Sequence, residues 1–200
     1  MPIETDLRFE AAVREKMRRR NISLVRAMYE VFDQWMENAI QQGKVRFACH
    51  KGCGQCCYQM VTCTQLEWHE IETYLKTIKV GRKDLICRLL AAQKSWRRYC
   101  VEHTNILATH SLEVYRDWFK KPCPFLNQKG SCDIYPVRPI DCRTTHAYTR
   151  CTDPGNQNIV RFVFDWELYP NNWILEEQAR RGVAATTPLL HCIHLLKIKK

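Results

Sequence analysis

Cys49-His50-Lys51-Gly52-Cys53-Gly54-Gln55-Cys56-Cys57 is the stretch from which the rest of the chain is read: four thiols in nine residues, with two glycines between them. Glycine takes positive φ readily, so this backbone can fold tightly over a small object. Cys53 and Cys56 stand at the CxxC spacing from which two sulfurs grip one metal in a single turn. Side chains on adjacent residues diverge, so Cys57 either binds a second metal atom or stays free. A second group, Cys123, Cys132, Cys142 and Cys151, follows far along the chain. Both groups are expected to fold together and hold metal jointly.

Composition sets the frame for that reading. The 200 residues suit a single domain, 1–200, and 46% hydrophobic residues with six tryptophans argue against disorder. No run of about 18 apolar residues exists, so no membrane span is expected. The segment Met1 to Arg20 is charged throughout and lacks the apolar centre of a secretion signal. The expectation is a cytoplasmic protein with reduced thiols, in which twelve cysteines mean metal or redox chemistry rather than disulfides. The net charge is +10, densest at Arg14, Lys16, Arg18, Arg19 and Arg20 and again at Lys197, Lys199 and Lys200. No aromatic platform or nucleic-acid motif accompanies it. A metal ion or cluster is therefore the expected partner. A protein partner stays open, and nucleic acid is not expected.

Apolar periodicity predicts a mainly α protein. Residues 4–20 read as a polar helix and 22–42 as an amphipathic one, with Leu24, Met28, Val31, Phe32, Trp35, Ala39 and Ile40 on one stripe and Gly43 as its stop. Thr64 and Glu67 have capping-box spacing and open a helix to about Ile78, burying Trp68, Ile71, Leu75 and Ile78. Cys63 before it reads as a buried small hydrophobe. A turn at Gly81 leads to a helix over 82–108, with Ile86, Leu89, Leu90, Trp96, Cys100, His103 and Leu107 in helical register. Cys87 and Cys100 read there as packing residues and His103 as a core or boundary residue. Ser111 caps a short helix to Lys120 that turns Val114, Trp118 and Phe119 inward. Prolines and glycines, Pro154 and Gly155 among them, make 121–158 loop and turn, with Asn127–Gly130 joining two short extended pieces. Ile159 to Trp166 is read as a strand, and 171–181 and 187–197 as short helices. His191 and His194 read as core-edge residues. The predicted fold is a helical single domain wrapped around an irregular cysteine-rich insert, 46–152, with short β pieces and flanking helical elements 1–42 and 160–200.

Zinc and iron–sulfur centres both want thiolates, usually four per closed site. A zinc ribbon shows two CxxC knuckles, whereas this chain has one, followed by cysteines at wider spacing. The pattern leans towards an iron–sulfur cluster or a multinuclear site over structural Zn2+, with iron as the other expected metal. Cys49-x3-Cys53-x2-Cys56 also matches the cysteine triad of radical-SAM enzymes. No alternating strand–helix pattern follows it, however, and Gln55 stands where an aromatic is usual.

Three separated blocks then carry a resemblance: Cys49-x3-Cys53-x2-Cys56-Cys57; Cys123-Pro124-Phe125-Leu126 with Gly130-Ser131-Cys132-Asp133-Ile134-Tyr135; and Arg138-Pro139-x2-Cys142-Arg143. Over about 46–152 the chain resembles the YkgJ-type cysteine cluster proteins, described as a zinc- or iron-chelating domain with a CxxCxxCC signature. The chain departs from that signature in having three residues between Cys49 and Cys53, where the family has two. The resemblance implies bacterial, cytosolic metal binding with Cys49, Cys53, Cys56, Cys57, Cys123, Cys132 and Cys142 as ligands. Some relatives are labelled Fe–S oxidoreductases, and a flagellin lysine methylase looks related through its cysteines. Arg138 and Arg143 bracket Cys142 and can lower its pKa or hydrogen-bond an anionic centre; surface ion pairs are the plainer alternative. His146 is a candidate replacement ligand, and Asp133 and Asp141 read as turn caps. Three functions follow in order: a metal centre supporting redox or modification chemistry, a structural zinc module meeting a protein or nucleic acid, and a methyl-transferring enzyme.

Overall fold

The computed structural model describes residues 4–50, 52–103, 112–152, 159–182 and 186–198. Lys51, Leu107, the Ser111 cap, Pro154, Gly155, Lys199 and Lys200 lie outside the described residues.

The fold is mainly α, with only short strand pieces. Helix α1, Glu4–Arg20, turns at Asn21 into α2, Leu24–Gln41, whose first turn is capped by Ser23 Oγ accepting from Arg26 N–H at 3.1 Å. Gly43 ends α2 as expected. At φ +69° its N–H reaches the Ile40 carbonyl while the Lys44 N–H reaches that of Ala39, the pairing that satisfies a helix's last carbonyls. Helices α1 and α2 pack with the later α7, Leu168–Arg180, around Phe9, Met28, Phe32 and Ile174. Trp166 joins that cluster edge-on to Phe32 and Trp35, with ring centroids 5.2 and 5.5 Å apart.

A second core forms from α3, Gln65–Leu75; α4, Arg82–Glu102; α5, Leu112–Trp118; and α8, Leu189–Leu195. The Thr64–Glu67 capping box is present, and Trp68 and Ile71 are buried as expected. Along α4 the buried residues are Leu85, Leu89, Trp96 and Tyr99. Cys100 packs against this core, but Cys87 is exposed, contrary to the packing role expected for it. His103 is exposed rather than in the core, its ring stacked on Tyr99 at 4.1 Å.

The strand read over 159–166 is shorter than predicted. Strand β3, Ile159–Arg161, stops after pairing antiparallel with β2, Thr145–Ala147. Phe162 at φ +56° breaks the extended run, and a helical turn at Asp165–Glu167 follows. Phe164 and Trp166 are drawn into the α1–α2 cluster, so burial there outweighs continued pairing with a three-residue partner. At the chain's end, Thr187–Pro188 is not helical. It forms β4 against β1, Thr62–Cys63, and α8 begins just after it.

The two cores meet at Glu67, a fully buried carboxylate. Oε1 accepts from the Ile140 N–H at 2.7 Å and the Tyr29 hydroxyl at 3.1 Å; Oε2 accepts from the Thr64 N–H and hydroxyl, both at 2.9 Å. Burial pushes its pKa above the ordinary carboxylate value, and those four donors pull against the rise. Glycine is required at Gly54, because a Cβ there would stand 2.6 Å from Leu126 Cδ1 and 2.7 Å from the Gly130 carbonyl oxygen.

Two substitutions test this frame by urea unfolding. Glu67→Gln should cost about 1–3 kcal/mol, because either orientation of the amide turns its NH2 towards a backbone N–H. Gly54→Ala should cost about 1–3 kcal/mol, because the backbone at Gly130 must retreat. Wild-type stability in either variant would refute the corresponding contact.

Candidate metal centre

Three short segments bring the thiols together. The first is the helical turn Gln55–Tyr58, tightened by Cys57 N–H to the Gly54 carbonyl at 3.0 Å. Its exit runs beside the second segment: Lys120 N–H donates to the Tyr58 carbonyl at 2.9 Å and Cys123 N–H to the Cys57 carbonyl at 2.7 Å. Cys123 is thereby seated next to the first knot.

The second segment doubles back through the expected Asn127–Gly130 turn. Leu126 and Cys132 form a β-bridge, and Asn127 Oδ1 accepts from the Lys129 and Ser131 N–H groups at 3.0 and 3.1 Å. Arg88, from α4, clamps this loop. Its guanidinium reaches the carbonyls of Pro124 and, at 3.1 Å, Leu126, and pairs with Asp133. Asp133 therefore anchors the loop rather than simply capping a turn.

The third segment is α6, Ile140–Arg143, entered through Pro139 and carrying Cys142. Asp141, beside Cys142, accepts from the Thr62 N–H at 2.7 Å and pairs with Arg161. Arg143 is buried and turned away from the thiols. It pairs with Asp33, donates to the carbonyls of Arg138 at 3.0 Å and Pro136 at 2.8 Å, and lies 4.1 Å over the Tyr29 ring.

The result is a cavity of about 60 Å³ whose wall includes Cys53, Cys56, Cys57, Cys123, Cys132 and Cys142. The early and late thiols thus share one wall. Arg138 lines it too, stacked 4.1 Å over the Tyr135 ring, with its Nε buried and lacking a hydrogen-bond partner among the described residues. Arg161, which sequence reasoning missed, is the second cation in the wall. Its only sequence signal was a place on the 159–166 strand, and a three-residue hairpin partner decides which way it faces. Cys49 and Cys151 line a neighbouring, more open cavity of about 310 Å³, and Cys53 borders both. His146 is not among the residues of either wall; it meets Glu167 at 3.1 Å and stacks on Phe47 at 4.3 Å. His191 faces Trp96 Nε1 at 3.5 Å. Cys63 is buried and donates to the Thr64 carbonyl at 3.3 Å.

Burial pushes the Cys123 thiol up to about 12, Cys132 up to about 11, and Cys142 well above its ordinary value. Cys56 moves the other way, down to about 7, chiefly because the Cys57 thiol hydrogen-bonds it; Cys57 in turn is pushed up. One proton of that pair leaves readily and the second with difficulty. The donor set suits a thiophilic cation, which displaces thiol protons as it binds. Among the described residues no three or more His, Cys, Asp or Glu side chains are yet grouped as a ready-made ion cage; the thiols surround the cavity without being gathered.

Comparison with known proteins places these thiols within a family. A family model described as "CxxCxxCC: Putative zinc- or iron-chelating domain" matches residues 48–162. Neither a search of curated proteins nor one of solved structures finds a match. Among the described residues no helix is long and apolar enough to cross a membrane. The matched span covers more than half of the 200 residues and contains every thiol of the cavity, and the chain therefore belongs to the CxxCxxCC family of zinc- or iron-chelating domains.

Proposed function

We propose that Cys53, Cys56, Cys57, Cys123, Cys132 and Cys142 hold an iron–sulfur or iron centre in the cavity they line. The observation that carries this is the shared wall: thiols from both ends of the matched span border one small space. Six thiols exceed the four of a closed zinc site, which leaves donors for a second metal atom. The space of about 60 Å³ exceeds the roughly 10–15 Å³ that one water needs. Arg138 and Arg161 put two cations beside what becomes an anionic sulfur cluster, and the Arg138 Nε–H is a donor left over for a sulfur acceptor. A bound centre of this kind supplies electron-transfer chemistry. The chain's own part is to hold the thiols and balance charge. Arg143 acts here through position, holding the loop that carries Cys142. Cys49 and Cys151 stand outside this donor set.

A structural zinc module is favoured by one feature: the three segments around the cavity carry little regular structure of their own, so an ion there would hold loops together.

Metal analysis and absorption of protein purified without air separate the two. Iron with sulfide and a brown colour is expected; a colourless protein with stoichiometric zinc would establish the module instead. Cys56→Ser and Cys142→Ser should each remove most of the metal, and full occupancy in either would strike that residue from the donors. Arg88→Ala should weaken metal affinity roughly tenfold, as loss of a supporting contact does, although Arg88 is no ligand. Unchanged affinity in a competition titration would show that the clamp is dispensable.

A further inference from the structure

A third cavity, of about 430 Å³, lies against the thiol cavity, and Gln59 and Arg161 line both. Its volume is that of a small-molecule site. Met60, Tyr115 and Phe119 give it an apolar and aromatic wall, and Asp141 is the acidic group facing it. Both oxygens of Asp141 are engaged, Oδ2 by the Thr62 N–H at 2.7 Å and Oδ1 by Arg161. Arg161 makes its bonds to Asp141 from Nη1, and a guanidinium carries five donors, so its Nε and Nη2 edge suits a second carboxylate. Burial, and after it the Asp141 charge, push the Tyr115 phenol above its ordinary value, so it stays a neutral donor. Asp141 neutralises the net charge of Arg161, so what the guanidinium offers a ligand is its remaining hydrogen-bonding edge, whose fork matches a carboxylate.

We propose that this cavity binds a small organic carboxylate with an aromatic or apolar body, its carboxylate on Arg161 beside the thiol cavity and its body against Met60, Tyr115 and Phe119. The inference rests on the metal reading above, to which it adds the class of substrate.

Isothermal titration of phenylacetate into metal-loaded protein, with phenylacetamide as uncharged comparator and loading measured on the same sample, tests it. Phenylacetate should bind at least roughly tenfold more tightly than phenylacetamide, the scale of a charge-assisted hydrogen bond. It should also shift the absorption spectrum of the loaded centre. Arg161→Gln should weaken phenylacetate binding by about tenfold or more. That change also removes the partner of Asp141, so Phe119→Trp, which fills the cavity from a partly exposed position, serves as the second variant; it should weaken binding comparably while metal content holds. Equal binding of the two compounds, or no binding to fully loaded protein, overturns the inference and leaves the metal reading intact. Binding without a spectral shift overturns the link between the cavity and the centre. A protein that takes up neither iron nor zinc yet binds phenylacetate through Arg161 overturns the metal reading and keeps the carboxylate site.

Discussion

A carboxylate removed from water must be met by donors or it destabilises the fold around it. Glu67 meets this demand with four donors drawn from three places: Tyr29 on α2, Thr64 at the head of α3, and the Ile140 N–H at the head of α6. The requirement ties the two cores together and leaves α6 little choice of position. Cys142 lies two residues beyond Ile140, so satisfying Glu67 also places a thiol. Arg143 works from the other side of α6. Its guanidinium, shut away from solvent, is met by Asp33, by two carbonyls and by the face of Tyr29. Two buried charges in the helical frame thus hold the loop on which the late cysteine sits.

The cysteine segments themselves have little regular structure, and the helices supply what they lack. Arg88 reaches from α4 to bind two carbonyls and Asp133 of the second loop. The first knot is held by backbone pairing at Tyr58 and Cys57, and by the close approach of Gly54 to Gly130. Inside, burial keeps Cys123, Cys132 and Cys142 protonated, while the contact between Cys56 and Cys57 loosens one proton of that pair. The three buried thiols stay inert until a cation replaces their protons, while Cys56 already offers a thiolate near neutral pH.

The arginines show where local reading reaches its end. Arg138 and Arg143 flank Cys142 in sequence and looked equivalent. They sit five residues apart around a helical turn preceded by proline, so their side chains leave in different directions. Arg138 enters the cavity wall, while Arg143 is spent on Asp33, which lies far away in sequence on α2. Arg161 carried no motif at all, and reaches the wall because β3 pairs with β2. The aromatic run from Phe162 to Trp166 looked like strand by its alternation, yet Phe162 is exposed while Phe164 and Trp166 pack against the α1–α2 core, and only the assembled core reveals that.

The sequence by itself determined the helices with strong apolar periodicity, the capping box at Thr64, the stop at Gly43 and the thiol-rich, metal-chelating character of the chain. These depend on spacing and side-chain chemistry, which act over a few residues. Tertiary structure alone decided which cysteines share a wall, which arginines face them, and that Cys49 and Cys151 line the adjoining cavity. Those outcomes depend on contacts between segments distant in the chain, and such contacts leave no local periodicity to read.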